Sequence, residues 1–532
     1  MIKTFRPAAP VAVVLAAAAG AAMLWATRHH NGLWIDELYT LHSINMPAGE
    51  LCRERITRGH VPTWFLGMKA WHGALAAAGL AAAPTETTMR LPGMVAWAAG
   101  VGAFAALARG VLRAGPAAGL ATLMFALNGI SVRQAAEARM YPWSLLAAVG
   151  MTAGYLGLVG RDSRAGAPGR PRRHAALLVA STLAGAWISP TCLITAGAMA
   201  AHALLDSARR RRFGLPAAAA LGAPLMAVAT LAPLYIMHLG LRQRSEVAGT
   251  AALNLPMNLA ALLGGVTAEG RYYQVPATLR VLAAPGAALA VAVLVAAWRR
   301  RRRLGPVLSA CVAIVLLPAG AMLASWALRE VELTKISLLG PGRYLLGLLP
   351  AAALLSGAML ARLTATWPRA AKHGARAGLA VFMLAAAWTV LHVHVEDFRG
   401  NVRRWAAARG PGDALVTIPH EIADGVAFYA PGARVDAAID RYLDDPVRIE
   451  AMLAPLAATR PAVWMLTYRP RSRGRDHAPA VDAAIRLMGQ PGGPDRRRVK
   501  KLGVLRLFRF AGAGTGTGAG TGGTTATATA AR

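Results

Sequence analysis

Acidic residues are scarce in this 532-residue chain. Asp and Glu number 25 against 58 Lys and Arg, for a formal net charge of +33. Charged residues of both signs make up only 16% of the sequence, too few to clothe a soluble protein of this length in polar surface. Cysteine is nearly absent. Cys52, Cys192 and Cys311 are the only three, the last two fall in apolar stretches, and their spacing yields no disulfide framework or zinc-ligand pair. Aromatic residues are not interleaved with the arginine clusters, so the base-stacking platform that would accompany a nucleic-acid reading of the charge is missing.

Apolar residues fill the gap. They form 55% of the chain, mean hydropathy is +0.41, and they come in blocks that approach or exceed the roughly 18–20 residues needed to cross a hydrocarbon core. The arginines sit in short clusters between blocks: Arg161 to Arg173, Arg209 to Arg212, Arg299 to Arg303, and Arg369 to Arg376. Such clusters hold loops on the cytoplasmic side. With Lys3 and Arg6 inside, about eleven spans place every strongly basic cluster inside. These spans lie near 10–27, 91–108, 116–132, 142–160, 174–189, 191–206 and 214–239; two flank Arg299–Arg303, one precedes Arg362, and the last covers 377–394.

Residues 28–90, 240–280 and 329–343 then become external loops, with one or two interfacial helices expected over Val61–Leu80. Beyond helix eleven, residues 396–510 carry ordinary charge. They hold β-rich runs at Ala414–Ile418, Val463–Tyr468 and Val504–Phe510, with a helical stretch around Val447–Ala458. The fold class expected is an α-helical polytopic membrane protein over 1–395, with a small C-terminal α/β extracytoplasmic domain over 396–510. Residues 511–532, nearly all Gly, Thr and Ala, read as a disordered tail. Abundant Ala and Arg with little Lys suggest a GC-rich bacterial genome, hence an inner or plasma membrane location.

Against this background an adjacent acidic pair is conspicuous: Asp36 and Glu37, within Trp34-Ile35-Asp36-Glu37-Leu38-Tyr39 just after the first span. Ionised groups near an apolar slab are costly and therefore suggest function, although two solvated loop acids beside an aromatic anchor would read the same way. Three arginine motifs lie at other external helix ends: Arg90-Leu91-Pro92, Glu137-Ala138-Arg139-Met140-Tyr141 and Gly342-Arg343-Tyr344. Outward arginines run against the positive-inside bias. Converging on one cavity they would form a phosphate site, since guanidinium forks match phosphate oxygens; singly, each could be snorkelling to headgroups.

Together with His60-Val61-Pro62, these motifs resemble bacterial members of glycosyltransferase family 39, GT-C-fold enzymes related to protein O-mannosyltransferases and lipid A aminoarabinose transferases. The resemblance covers about residues 1–400 in order and spacing. It implies a polyprenyl-phosphate-linked sugar as donor, a hydroxyl-bearing acceptor (protein, lipid or glycan), the bilayer as setting, and inversion at the anomeric carbon. By analogy Asp36 takes the acceptor proton and Glu37 holds the acceptor or tunes its neighbour. Arg139 and Arg343 bind the donor phosphate, and His60, Arg90, Glu137, Tyr141 and Tyr344 line the substrate cavity. No nucleic-acid partner is implied. A divalent metal is left open: His29, His30, His42, His60 and His72 lie beside the acids without forming a ligand motif. The alternative is a transporter or flippase of lipid-linked sugars, against which stands the placement of charge at helix ends rather than at midplane.

Overall fold

The computed structural model describes residues 8–113, 115–160, 170–241, 254–266, 277–330, 342–393, 398–439, 445–468, 496–502 and 505–511. The chain forms two compact units, Met1–Val395 and Glu396–Arg532.

Among the described residues the first unit is helical. After α1 (Ala8–Thr27) come three short helices, α2 (Ile35–Asn45), α3 (Ala48–Thr57) and α4 (Thr63–Ala77). Long helices follow: α5 (Glu86–Leu112), α6 (Pro116–Ala126) with its continuation α7 (Gly129–Ala135), α8 (Tyr141–Val159), α9 (Arg170–Ile188), α10 (Cys192–Arg210) and α11 (Leu215–Leu241). The unit closes with α12 (Asn254–Gly264), α13 (Ala277–Arg299), α14 (Pro306–Glu330), a 3-10 turn at Gly342–Leu348 leading into α15 (Leu349–Leu363), and α16 (Arg369–Leu391).

Among the described residues, seven helices are long and apolar enough to cross a membrane, as a polytopic membrane protein requires. They are α5, α8, α11, α13, α14, α15 with its leading turn, and α16. The other four expected spans coincide with α1, α6, α9 and α10. One of these is broken: the expected run 116–132 stops at Ala126, and Asn128 restarts it as the cap of α7, accepting from Ile130 N at 3.0 Å.

Small residues let the helices approach closely, as expected where lipid supplies no hydrophobic drive between them. Gly150, Gly154 and Gly157 of α8 face Ser181, Leu178 and His174 of α9. A Cβ at Gly154 would come within 2.7 Å of the Leu178 backbone nitrogen. Gly357 of α15 meets Ala121 of α6 in the same way.

The expected external loop 240–280 contains a helix, α12, that the sequence reading missed. Its C-terminal carbonyls are capped from outside: Asn128 Nδ2 donates to Ala261 O at 2.9 Å and Ser356 Oγ to Leu263 O at 3.2 Å. Gly265, at φ +82°, then ends the helix in the left-handed region, and its carbonyl accepts from Gly129 N. The expected helical stretch Val61–Leu80 forms one helix, α4, which with 15 residues is too short to span; α2 and α3 precede that stretch.

The second unit holds α17 (Phe398–Ala408), β1 (Ala414–Ile418), α18 (Ile422–Tyr429), β2 (Ala437–Ala438), α19 (Pro446–Thr459), β3 (Ala462–Tyr468), β4 (Arg496–Leu502) and β5 (Leu505–Ala511). The sheet order is β2-β1-β3-β5-β4, with β1 parallel to β2 and β3, and β5 antiparallel to β3 and β4. Val416, Ile418, Val463 and Met465 on one sheet face pack with Ile449 and Leu453 of α19 into a small core. The tail beyond residue 511 lies outside the described residues.

Candidate active site

Asp36 and Glu37 occupy the first turn of α2, where the backbone N–H groups favour negative charge. Adjacent positions on a helix point about 100° apart, so the two carboxylates meet different surroundings.

Glu37 is turned inward and fully buried. Its Oε1 accepts from Arg90 Nε at 2.9 Å and from Ala138 N at 2.8 Å; its Oε2 accepts from Arg90 Nη2 at 2.8 Å and from Trp34 N at 3.2 Å. Arg90, in the first turns of α5, uses its remaining donors on the backbone carbonyls of Arg28 (2.6 Å), Asn31 (2.9 Å) and Gly32 (3.2 Å). All five of its N–H groups are thus engaged. One bidentate pair ties the loop after α1, the start of α2, α5 and the turn between α7 and α8 into a single piece. Gly93, one turn along α5, leaves room for that turn: a Cβ there would lie 3.3 Å from Glu137 O.

A second buried pair reinforces the first. Arg133 Nε donates to Glu137 Oε1 at 2.7 Å, and Arg133 Nη1 donates to Val390 O (3.2 Å) and Val393 O (2.9 Å) at the end of α16. Asn31 Nδ2 caps the same helix end through Leu391 O and Val393 O. A guanidinium at a helix C-terminus satisfies orphan carbonyls and complements the dipole. Sequence reasoning placed Glu137 in the cavity and overlooked Arg133. The i,i+4 spacing of the two was the available signal.

Asp36 is turned the other way. Its side chain is 17% exposed, and Oδ2 lies 3.8 Å from Arg139 Nη2 and 3.6 Å from Arg343 Nη2. Arg139 comes from the turn before α8 and anchors itself by donating from Nη1 to the Asp36 backbone carbonyl at 2.9 Å. Its side chain is 4% exposed, and its Nε–H is buried without an acceptor. Arg343 comes from the turn before α15. Its guanidinium lies 5.7 Å from the Trp34 ring, 5.9 Å from Tyr141 and 5.7 Å from Tyr344, within cation–π reach of all three. Three separate segments, carrying Trp34 to Asp36, Arg139 to Tyr141, and Arg343 to Tyr344, therefore converge on one polar cluster.

His60, between α3 and α4, sits partly buried beside this cluster with its ring edge-on to Phe65. Burial and the positive charge of Arg139 and Arg55 push its pKa down to about 3, so it is neutral at physiological pH. Behind it, Glu54 bridges to Arg55 and Arg58 and lies 3.6 Å from His42 Nε2. Burial alone would raise the Glu54 carboxyl; the His42 hydrogen bond and the two arginines outweigh it and hold it near 2. A cation shared by His42 and Glu54 would have to compete with two guanidiniums. Of the other loop histidines, His29 contacts Glu86 at 3.3 Å and Thr87 at 3.0 Å, and His30 lies against the His392 ring. His72 keeps a buried Nε2 without a hydrogen-bond partner among the described residues.

No protein-family model and no curated protein sequence matches the chain. Solved structures do resemble it. ArnT from Cupriavidus metallidurans in the apo state aligns with TM-score 0.52 at 12% identity, covering 94% of this chain and 98% of that one. The same protein bound to undecaprenyl phosphate aligns with TM-score 0.52 at 13% identity, covering 93% and 97%. The archaeal oligosaccharyltransferase AglB from Archaeoglobus fulgidus, with an inhibitory peptide and a dolichol-phosphate, gives TM-score 0.48 at 11% identity over 86% and 69%. Over nearly its whole length, this chain has the GT-C fold of the ArnT structures.

Proposed function

We propose that the chain is a membrane glycosyltransferase that moves a sugar from a polyprenyl-phosphate-linked donor to an acceptor hydroxyl. The observation that carries this reading is the meeting of one partly exposed carboxylate, Asp36, with two guanidiniums from distant segments, Arg139 and Arg343, at the end of an apolar helix bundle. The likeness to a protein whose structure contains undecaprenyl phosphate supports it.

The chemistry asks for little more. A lipid phosphate is a weak base and leaves without protonation, whereas a neutral hydroxyl is a poor nucleophile and gains from a general base. Asp36 takes the acceptor proton as the acceptor oxygen bonds to the anomeric carbon. The bond from that carbon to the phosphate oxygen breaks, and its electron pair leaves with the polyprenyl phosphate. Arg139 and Arg343 stabilise the charge gathering there. Single displacement inverts the anomeric centre. Glu37, saturated by Arg90 and two backbone amides, is assigned to positioning: it holds α2 so that Asp36 faces the pocket. Arg90 and Glu137 belong to the same supporting frame, while Tyr141, Tyr344 and His60 line the pocket.

We place the pocket on the extracytoplasmic face of a bacterial plasma membrane. The helices that bring Arg90 and Arg343 to it carry basic residues at the opposite ends, Arg109 in the last turn of α5 with Arg113 just after it, and Arg362 in the last turn of α15. The test is transfer by the purified, reconstituted protein with a polyprenyl-phosphate sugar donor. Asp36→Asn should lower the rate by about 10²–10⁴, the usual worth of a general base, while the protein inserts and melts as before. Undiminished transfer by that variant would remove Asp36 from the chemistry.

A further inference from the structure

The β4–β5 hairpin of the second unit carries a charge that its place in the sheet does not explain. β4 has Arg496, Arg497, Arg498, Lys500 and Lys501 among its 7 residues, and β5 adds Arg506 and Arg509. β3, β4 and β5 contain no acidic residue; the nearest in the chain is Asp495, just before β4. The register then sets like against like. Arg497 stands directly opposite Arg509, and Lys501 directly opposite Arg506. Like charges at opposed positions destabilise a sheet, so the hairpin keeps its charge at a cost in stability.

The ordinary reason for basic residues on a strand is protection of an exposed edge. β4 does lie at the edge, in the order β2-β1-β3-β5-β4, and a lysine there would deter pairing with another chain. β5 has no such need. It is paired on both sides, to β3 and to β4, yet it holds one member of each like-charge pair. The charge also occupies both faces of the sheet. Arg506 and Arg509 are three positions apart on a strand whose residues alternate between faces, so the two repelling pairs lie on opposite sides.

An extended anionic surface answers this pattern. A strand of 7 residues runs for about 20–24 Å, more than a single phosphate can cover. The chain itself keeps such a surface close. Helix α16, the last that can cross the membrane, ends at Leu391, and the second unit begins at Glu396. So short a tether holds the unit at high effective concentration beside the bilayer. Polybasic segments held there are drawn to anionic headgroups, by an attraction that fades within a Debye length. We infer that the β4–β5 hairpin docks on the anionic phospholipid headgroups of the membrane that holds the first unit, with the edge strand β4 toward the lipid. This docking is independent of the transfer reaction proposed above.

The full-length protein in lipid nanodiscs tests it. A fluorophore is attached at Val499→Cys in a Cys52→Ser background, the other two cysteines, Cys192 and Cys311, being buried. Quenching by a trace of headgroup spin-labelled phosphatidylcholine reads its closeness to the bilayer surface. Replacing about a third of the phosphatidylcholine by phosphatidylglycerol should raise quenching roughly two-fold near ~50 mM salt, and about 500 mM salt should cancel the rise. Quenching that ignores phosphatidylglycerol overturns the inference. Arg497→Gln with Arg509→Gln removes one repelling pair. It should cut the phosphatidylglycerol response by about half and leave the melting temperature equal or higher. An undiminished response, or a lower melting temperature, assigns the two arginines to the sheet and refutes docking. An emission shift with soluble polyphosphate, without any response to phosphatidylglycerol, would assign the hairpin to a polyanion in solution and refute it too.

Discussion

Two ion-pair regions lie within a few residues of each other and follow opposite designs. Around Glu37 and Arg90, carboxylate oxygens and guanidinium donors are matched one to one, at hydrogen-bond distance and away from solvent. Around Asp36, Arg139 and Arg343, distances are long, one oxygen is shared, and a buried donor lacks an acceptor. The first arrangement is finished without a ligand and serves as a frame. The second is partly exposed and, in the function proposed above, is where the donor phosphate binds. A carboxylate at a conspicuous motif position is thus no guide to its role until its partners are counted.

The largest effect expected of this contrast is on stability. Breaking the frame from one side, by Arg90→Ala or Glu37→Gln, leaves a buried group uncompensated and should cost about 3–5 kcal/mol, visible as a lower melting temperature and yield in detergent. Asp36→Asn should leave melting within about 0.5 kcal/mol of the unsubstituted protein. Equal destabilisation by the two sets would erase the distinction. A middle-sized effect is expected at Arg343. Arg343→Gln should lower transfer by roughly 10²-fold, as for loss of one donor to a developing oxyanion. Arg343→Lys should recover part of this, since the charge returns but the planar fork over Trp34 and Tyr344 does not.

The smallest effect sharpens the border between the two regions. His60 has a native pKa of about 3 and an unfolded value near 6.5, so between these pH values the unfolded chain binds the extra proton. Stability therefore falls as pH drops through that window. Glu54, held near 2 against 4.5 unfolded, adds a decline of the same sign lower down. His60→Gln should flatten the loss between pH 6.5 and 3, read as the slope of melting temperature against pH. An unchanged slope would mean that His60 does not feel the Arg139 and Arg55 charges.

Much of the fold was readable from apolar blocks and basic clusters because lipid imposes its length and charge rules segment by segment. The exceptions have local causes. Helix α6 ends early because Asn128 is needed as a cap and as a donor to α12. Helix α12 lay hidden in a stretch read as loop, its C-terminal carbonyls satisfied by distant Asn128 and Ser356. In the second unit β4 escaped notice because Arg496 to Lys501 is too basic to read as a strand.

The sequence alone marked which residues to watch. Acids are few, so Asp36 and Glu37 stand out, and outward arginines are few, so Arg90, Arg139 and Arg343 do too. Their division between frame and pocket was decided only by tertiary structure. Glu37 finds Arg90 53 residues away and Ala138 101 residues away, and no local pattern encodes which of two neighbouring carboxylates will turn toward them. Helical geometry sends adjacent side chains in different directions, and long-range packing sets which direction is inward.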